Sequence, residues 1–197
     1  MSEKELVAKA QAGDFQAFEA LINANKGKIY ALALKMTANP QDAEDIVQET
    51  LIKAIDNIEQ FRGESSFGTW LYSIALNQSR AHLAKQKQTD LKPIEDYLPT
   101  RSADEMHNHG GHKLFDWRDP HKVLEDDELR KMIDEAIAAL PVQYREAFLL
   151  RYYEELSIKE IAKIINESVA STKSRVLRAR LAVRDQLSRT LEARYGT

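Results

Sequence analysis

The chain has no cysteine, and its 197 residues include only seven glycines, five prolines and two tryptophans. The lack of cysteine excludes disulfides, iron–sulfur clusters, thiolate-held zinc and a thiol nucleophile. Glycine and proline are too scarce for a collagen-like or low-complexity chain. No apolar run reaches the roughly 20 residues that a membrane helix needs. The first residues, MSEKELVAKAQAGD, lack a signal-peptide core. No membrane insertion and a cytoplasmic location are therefore expected. An excess of positive charge is missing too, since the net charge is −3. The chain as a whole is not a basic nucleic-acid binder, and the distribution of its charge carries more information than the sum.

With 43% apolar and 30% charged residues, the composition is that of a foldable chain. Three of the five prolines (Pro93, Pro99, Pro120) and two glycines (Gly110, Gly111) fall between residues 88 and 122, where apolar periodicity fades. That stretch reads as a linker. Helical periodicity fills both sides, and no alternating strand pattern stands out. The expected architecture is all-α: a helical domain at 1–88, a linker at 89–122 and a second helical domain at 123–197.

In the first block, Ser2 and Glu5 have capping-box spacing, and Asp14 suits the start of a longer helix carrying Phe15, Phe18, Leu21, Ile22, Ile29, Leu32 and Met36. Asn39-Pro40 is an N-cap followed by a first helical position. The helix it opens is expected to bury Ala43, Ile46, Val47, Leu51, Ala54, Ile55 and Ile58, and to expose Asp42, Asp45, Gln48, Glu49 and Asp56. A polar loop, Arg62 to Ser66, leads to a last helix through Trp70, Leu71, Ile74 and Ala75, running to about Lys87.

In the second block, helices are expected over 123–139 and 143–153. Ser157 and Glu160 form another capping box, opening a short helix with Ile158, Ile161, Ala162 and Ile165. After the turn Asn166-Glu167-Ser168, a long helix places Val169, Thr172, Val176, Ala179 and Val183 on one stripe. Two helices joined by a tight polar turn make a helix-turn-helix. Residues 168–197 hold seven basic side chains, including Lys173, Arg175, Arg178, Arg180 and Arg184, against only Asp185 and Glu192. Such a local excess suits a phosphate backbone. The N-terminal residues of a recognition helix reach base edges. Here those are Ser171, Lys173, Ser174, Leu177 and Arg178, while Arg175 and Arg180 suit phosphates. The alternative is a solvated basic helix packed on acidic neighbours.

At this point the sequence resembles the bacterial extracytoplasmic-function group of RNA polymerase sigma factors. The resemblance rests on residues 13–55 with DAEDIVQET, 61–80 (FRGESSFGTWLYSIALNQSR), 139–187 with LSIKEIA and KSRVLRAR, and more weakly GHKLFDW at 111–117. It implies a binding protein, not an enzyme, that joins core RNA polymerase, directs it to promoters and promotes their melting. A stress or envelope response is the implied setting, with an anti-sigma protein as a further partner. No cofactor is implied.

The resemblance also implies a division of labour among residues. Asp45, Gln48, Glu49 and Ile52 face the polymerase. Arg62, Gly63, Glu64, Ser65 and Ser66, then Ser73, Asn77, Arg80 and Lys87, face the melted minus-ten element. Lys173, Ser174, Leu177 and Arg178 face the minus-thirty-five duplex, in agreement with the helix-face argument. Ala81 and Ala84 stand where relatives often carry Asp and Arg, and Ser168-Val169-Ala170-Ser171 stands where they often carry Pro-Val-Gly-Thr. Ser168 can cap the helix in place of the proline. Phe61 and Phe67 suit either a stacking wall for a captured base or the core; the core is preferred, and more so for Trp70.

His107, His109 and His112, with Asp104, Glu105, Asp116 and His121 nearby, have spacings that can hold zinc, copper or nickel. A linker offers no rigid scaffold for them, and no metal site is expected. The competing functional reading is a stand-alone helix-turn-helix regulator of duplex operators. It needs a dimer interface, and no strong dimerisation helix is seen.

Overall fold

The computed structural model describes residues 1–86 and 127–195, and every regular element among them is helical. The order is α1 (Glu3–Gln11), α2 (Phe15–Thr37), α3 (Pro40–Asn57), a 3-10 turn (Ile58–Gln60), α4 (Phe67–Gln86), α5 (Asp127–Ala138), α6 (Val142–Tyr152), α7 (Ile158–Ile165) and α8 (Val169–Tyr195). The all-α expectation holds. The expected linker, Lys87 and the His107, His109, His112 cluster lie outside the described residues.

The described residues fall into two compact units, the first built on α1 to α4. Its helices start where the sequence places caps. Ser2 and Glu5 close a reciprocal box, with Ser2 N–H donating to Glu5 Oε2 at 2.8 Å and Glu5 N–H to Ser2 Oγ at 3.3 Å. Asp14 Oδ1 accepts from Ala17 N–H at 3.1 Å. Asn39 Oδ1 accepts from the amides of Gln41 and Asp42 at 2.9 and 3.3 Å, with Pro40 at the first helical position. Each bond satisfies an amide that has no partner inside its own helix.

α2 packs against α1, α3 and α4, and α3 packs against α4. Ala33 of α2 packs with Ala43 and Ile46 of α3, and Ile29, Met36, Ala54 and, from α4, Phe67, Leu71, Ala75 and Leu76 are buried in the same unit's core. The fully buried Thr50 and Ser79 do not leave orphaned hydroxyls. They donate to the carbonyls of Ile46 (2.7 Å) and Ala75 (2.8 Å) one turn earlier. Long-range polar ties hold α1 to the chain that follows α3. Gln11 Nε2 donates to the carbonyls of Ile58 (3.0 Å) and Phe61 (2.8 Å). Glu3 Oε1 accepts from the Phe67 amide at 3.1 Å, at the start of α4.

Two large apolar side chains on the patterned rows of this unit are exposed, and one of them, Ile55, was expected in the core. Phe15 is 70% exposed and Ile55 51% exposed. Helical side chains lean toward the N-terminus over the preceding turn. Phe15 begins α2 and has no preceding turn to cover. In α3 the buried row runs through Ala43, Ile46, Val47, Thr50 and Ala54. Ile55 lies about 100° of helix rotation beyond Ala54, on the face of Ile52. Leu51 is half-buried rather than buried.

The second unit is framed by α5 and α6 packed on α8. Its core holds Met132, Ala136 and Ile137 of α5, Ala147, Phe148, Leu149 and Leu150 of α6, and Val176, Ala179, Val183 and Leu187 of α8. Arg145 is buried and donates from Nη2 to the carbonyls of Ala138 and Leu140 at the end of α5. A cation suits that end of a helix dipole.

The Ser157 box opens α7, with Ser157 N–H on Glu160 Oε2 at 2.8 Å and Glu160 N–H on Ser157 Oγ at 3.3 Å. α7 ends in a Schellman motif. Asn166 adopts φ 56°, its amide donates to the Lys163 carbonyl, and the Glu167 amide donates to the Ala162 carbonyl at 2.9 Å. Ser168 then accepts from the Ser171 amide at 3.1 Å, capping α8 as expected. Thr172, Val176, Ala179 and Val183 are buried, but Val169 is 48% exposed. It begins α8, and the reason given for Phe15 applies to it.

Candidate nucleic-acid and protein interfaces

Three surfaces carry the residues that the sequence singles out. The first is the outer face of α3. Asp45, Gln48, Glu49 and Ile52 all reach solvent at spacings of three and one, so they share a face. Ile52 is 54% exposed. Ile55, assigned to the core by pattern alone, joins Ile52 one turn on, with the exposed Asp56 beside it. Two large aliphatic side chains ringed by carboxylates and an amide make an apolar centre with a polar rim. A protein interface has that anatomy.

The second surface is the 62–66 loop and the outward face of α4. Arg62, Gly63, Glu64, Ser65 and Ser66 are all exposed, and Gly63 takes φ 69°, a conformation that favours glycine. Ser66 also opens α4, its Oγ accepting from the Thr69 amide at 3.1 Å. Phe61 and Phe67 are buried, so the core reading holds for both. Trp70 is only half-buried, a correction to its core assignment. Its ring lies 5.2 Å from that of Phe61 and 5.4 Å from that of Phe67. The buried pair thus packs against an aromatic at the surface edge.

Asn77 is exposed and Arg80 half-exposed, joined by a hydrogen bond of 3.0 Å. Ser73 is half-buried, and its hydroxyl donates to the Trp70 carbonyl at 2.6 Å. One residue pair escaped the sequence reading. His82 Nε2 of α4 lies 3.1 Å from Asp42 Oδ1 of α3, tying the α4 face to the preceding helix. No spacing rule links positions so far apart in the chain.

The third surface is α8. Ser171, Lys173, Ser174, Leu177, Arg178 and Arg180 are exposed opposite the buried stripe, and Leu177 is 46% exposed. Hydroxyl, cationic and aliphatic groups together can meet the varied edges of a major groove. Arg175 departs from the expectation. Its Nη1 lies 3.6 Å from Oε1 of Glu146, a residue of α6 that is only 2% exposed. The guanidinium of Arg175 therefore points toward α6, whereas Lys173, Arg178 and Arg180 are exposed. Further along, Arg189 pairs with Asp185 at 2.8 Å on the exposed side. Among the described residues no group of acidic, histidine or cysteine side chains is arranged to hold a metal. None of the described helices is long and apolar enough to cross a membrane.

Comparison with known proteins agrees with this geometry. Residues 21–89 match the sigma-70 region 2 family model, and residues 130–183 match sigma-70 region 4. The RNA polymerase sigma-H factor of Pseudomonas aeruginosa is 34% identical over 181 residues, covering 92% of this chain and 91% of the relative. The ECF RNA polymerase sigma factor SigW of Bacillus subtilis is 35% identical over 192 residues, covering 95% of this chain and 97% of the relative. Among solved structures, the sigma factor RpoE of Bartonella quintana, in complex with the anti-sigma factor NepR, aligns with a TM-score of 0.62 at 22% identity. That alignment covers 87% of this chain and 96% of that one. Both sequence blocks, both helical units and full-length relatives thus lead to one assignment: the chain belongs to the ECF group of the sigma-70 RNA polymerase sigma factors.

Proposed function

We propose that this sigma factor works by dividing three tasks among its three exposed surfaces. As a sigma factor it binds core RNA polymerase and directs it to promoters for transcription initiation. The finer assignment puts Asp45, Gln48, Glu49 and Ile52 on the polymerase, with Ile55 added to them. The 62–66 loop, Asn77, Arg80 and Lys87 read the melted minus-ten element, with Ser73 at the margin. Ser171, Lys173, Ser174, Leu177, Arg178 and Arg180 read the minus-thirty-five duplex. The accompanying division is 1–88, 89–122 and 123–197. Tethering raises the local concentration of the second reader once the first has bound. Capture of unstacked bases, rather than nucleotide hydrolysis, supplies the driving force for opening, so the chain acts as a binding protein and not as an enzyme.

The observation that carries this reading is the coincidence of two exposed polar faces with the two family regions. The α3 face has an apolar centre and an acidic rim, and the α8 face is basic. They suit different partners, a protein and a duplex. An anti-sigma protein is a further proposed partner, since structures of this fold include a sigma factor held by one. A cytoplasmic location and a stress or envelope response complete the proposal.

The test is multiple-round transcription with purified bacterial core polymerase and a pool of genomic promoter fragments. Discrete transcripts that require this chain support the reading. No transcripts, together with no co-elution with core polymerase, overturn it and favour the operator-binding regulator.

A further inference from the structure

The second unit holds one buried carboxylate that the proposed reading does not use. Glu146 lies in α6 at 2% exposure, among Ala147, Phe148, Leu149 and Leu150. A carboxylate in such surroundings needs a compensating charge. Arg175 of α8 supplies it, with Nη1 3.6 Å from Oε1 and a side-chain exposure of 18%. The pair joins α6 to α8, which pack against each other.

Position along α8 gives this contact its consequence. Arg175 sits between Ser174 and Val176, at the edge of the buried stripe. Ser174, Leu177 and Arg178 fall within one turn of it on the exposed side. Thr172, Val176, Ala179 and Val183 fix that α8 packs inward. Apolar packing holds this stripe against α6, and a charge pair across the same interface adds a directional constraint. Rolling α8 would draw the guanidinium away from a carboxylate that is 2% exposed.

We propose that Glu146 and Arg175 are positioning residues for promoter recognition: the pair fixes the rotation of α8 about its axis and so aims Ser174, Leu177 and Arg178 at the bases. The proposal rests on the reading of α8 as the minus-thirty-five reader. It gives Arg175 a different role from a phosphate contact, and the two roles predict different measurements. A phosphate contact weakens binding uniformly over all sequences and carries its share of the salt dependence. A positioning pair changes the ranking of sequences and leaves the salt slope alone.

The experiment uses holoenzyme assembled from core polymerase and the full chain. Templates carry a fixed minus-ten element and a randomised upstream segment, and transcripts are counted by sequence. The test variant is Glu146→Met with Arg175→Met, which replaces the pair by apolar groups of similar length. The expected result is a cooperative melt close to wild type. Discrimination between the best and worst upstream segments falls about ten-fold, with an unchanged slope of log affinity against log salt. Wild-type discrimination in the double variant overturns the proposal and leaves the pair a packing device. A uniform loss with a shallower slope, by about one, also overturns it and returns Arg175 to the phosphates.

Should the double variant fail to melt cooperatively, Arg175→Lys takes its place, since it keeps a charge opposite Glu146. Partial loss of discrimination at constant slope then supports the proposal, and either full discrimination or a shallower slope overturns it. Wild-type holoenzyme with no upstream preference at all removes the underlying reading of α8 together with the pair. Wild-type preference that survives in the variants removes the pair alone.

Discussion

Arg80 donates from Nη1 to Oδ1 of Asn77 at 3.0 Å, one turn earlier on α4. The two side chains therefore act as a unit. The Asn77 oxygen accepts this bond with one of its two lone pairs, and its amide hydrogens remain available as donors. Asn77→Ala and Arg80→Ala should each lower transcription from a cognate promoter about ten-fold, the scale of one charge-assisted hydrogen bond. The double variant should lose less than the product of the two, by a coupling of about 0.5–1.5 kcal/mol. Thermal melting of both single variants should stay within about 0.5 kcal/mol of wild type, because the pair sits at the surface. Transcript counts on one promoter across the four combinations check the first two expectations, and thermal melts of the single variants check the third.

The pairing of Ile52 with Ile55 gives a prediction that separates binding from folding. Both are more than half exposed in α3. Ile52→Ala and Ile55→Ala should cost stability no more than about 0.5 kcal/mol. Each should weaken association with core polymerase by about 2 kcal/mol, roughly thirty-fold, if it stands at the centre of the docked patch. Competition for core polymerase against a labelled sigma factor measures this directly. A large loss of stability for Ile55→Ala would restore it to the core.

Phe67 is fully buried between Phe61, at a ring separation of 5.8 Å, and Trp70. Phe67→Ala should destabilise the first unit by about 3–5 kcal/mol. The neighbouring Gly68 tests closeness rather than volume, since a Cβ there would meet Asn25 Oδ1 at 2.6 Å. Gly68→Ala forces that amide to turn, and Asn25 now donates to the Leu21 carbonyl at 2.8 Å. The expected cost is about 1 kcal/mol, net of the helix propensity gained by replacing glycine. Denaturant melts followed by helix signal and tryptophan fluorescence report both.

Arg178 and Lys173 are both exposed on α8 but should behave differently. Arg178→Ala should cost about 1–3 kcal/mol and relax the preference at a single upstream base pair, as loss of a fork-shaped donor does. Lys173→Ala should weaken all sequences more evenly if its compact charge meets a phosphate, and lower the salt slope by about one. Binding of holoenzyme to a panel of single-base upstream variants at several salt concentrations separates the two.

The capping box at α7 carries its own expectation. Ser157→Ala removes the acceptor for the Glu160 amide and should cost about 1 kcal/mol. A thermal melt of the variant beside wild type measures this loss directly.

Features whose causes lie within a few residues can be read from the chain alone. Ser2 with Glu5, Asp14, Asn39-Pro40, Ser157 with Glu160, and Ser168 announce helix starts because a cap and its amide are three positions apart at most. The helix-turn-helix was legible for the same reason. Its boxed start, the polar turn at Asn166 and the stripe from Thr172 to Val183 are all local patterns. The basic face of α8 and the acidic face of α3 follow from those helices once their buried sides are known.

Which end of a stripe is covered, and which charge finds a partner, follow from packing between helices. Phe15, Ile55 and Val169 fit an apolar pattern, yet they lie at helix ends or just past the row that neighbours cover. Burial depends on what packs there, and periodicity carries no record of it. Arg175 reads as one more cation in a basic helix until α6 brings Glu146 beside it. His82 and Asp42 likewise meet only because α3 and α4 pack together. A long-range pair depends on the joint placement of two helices, and neither helix's own sequence specifies that placement.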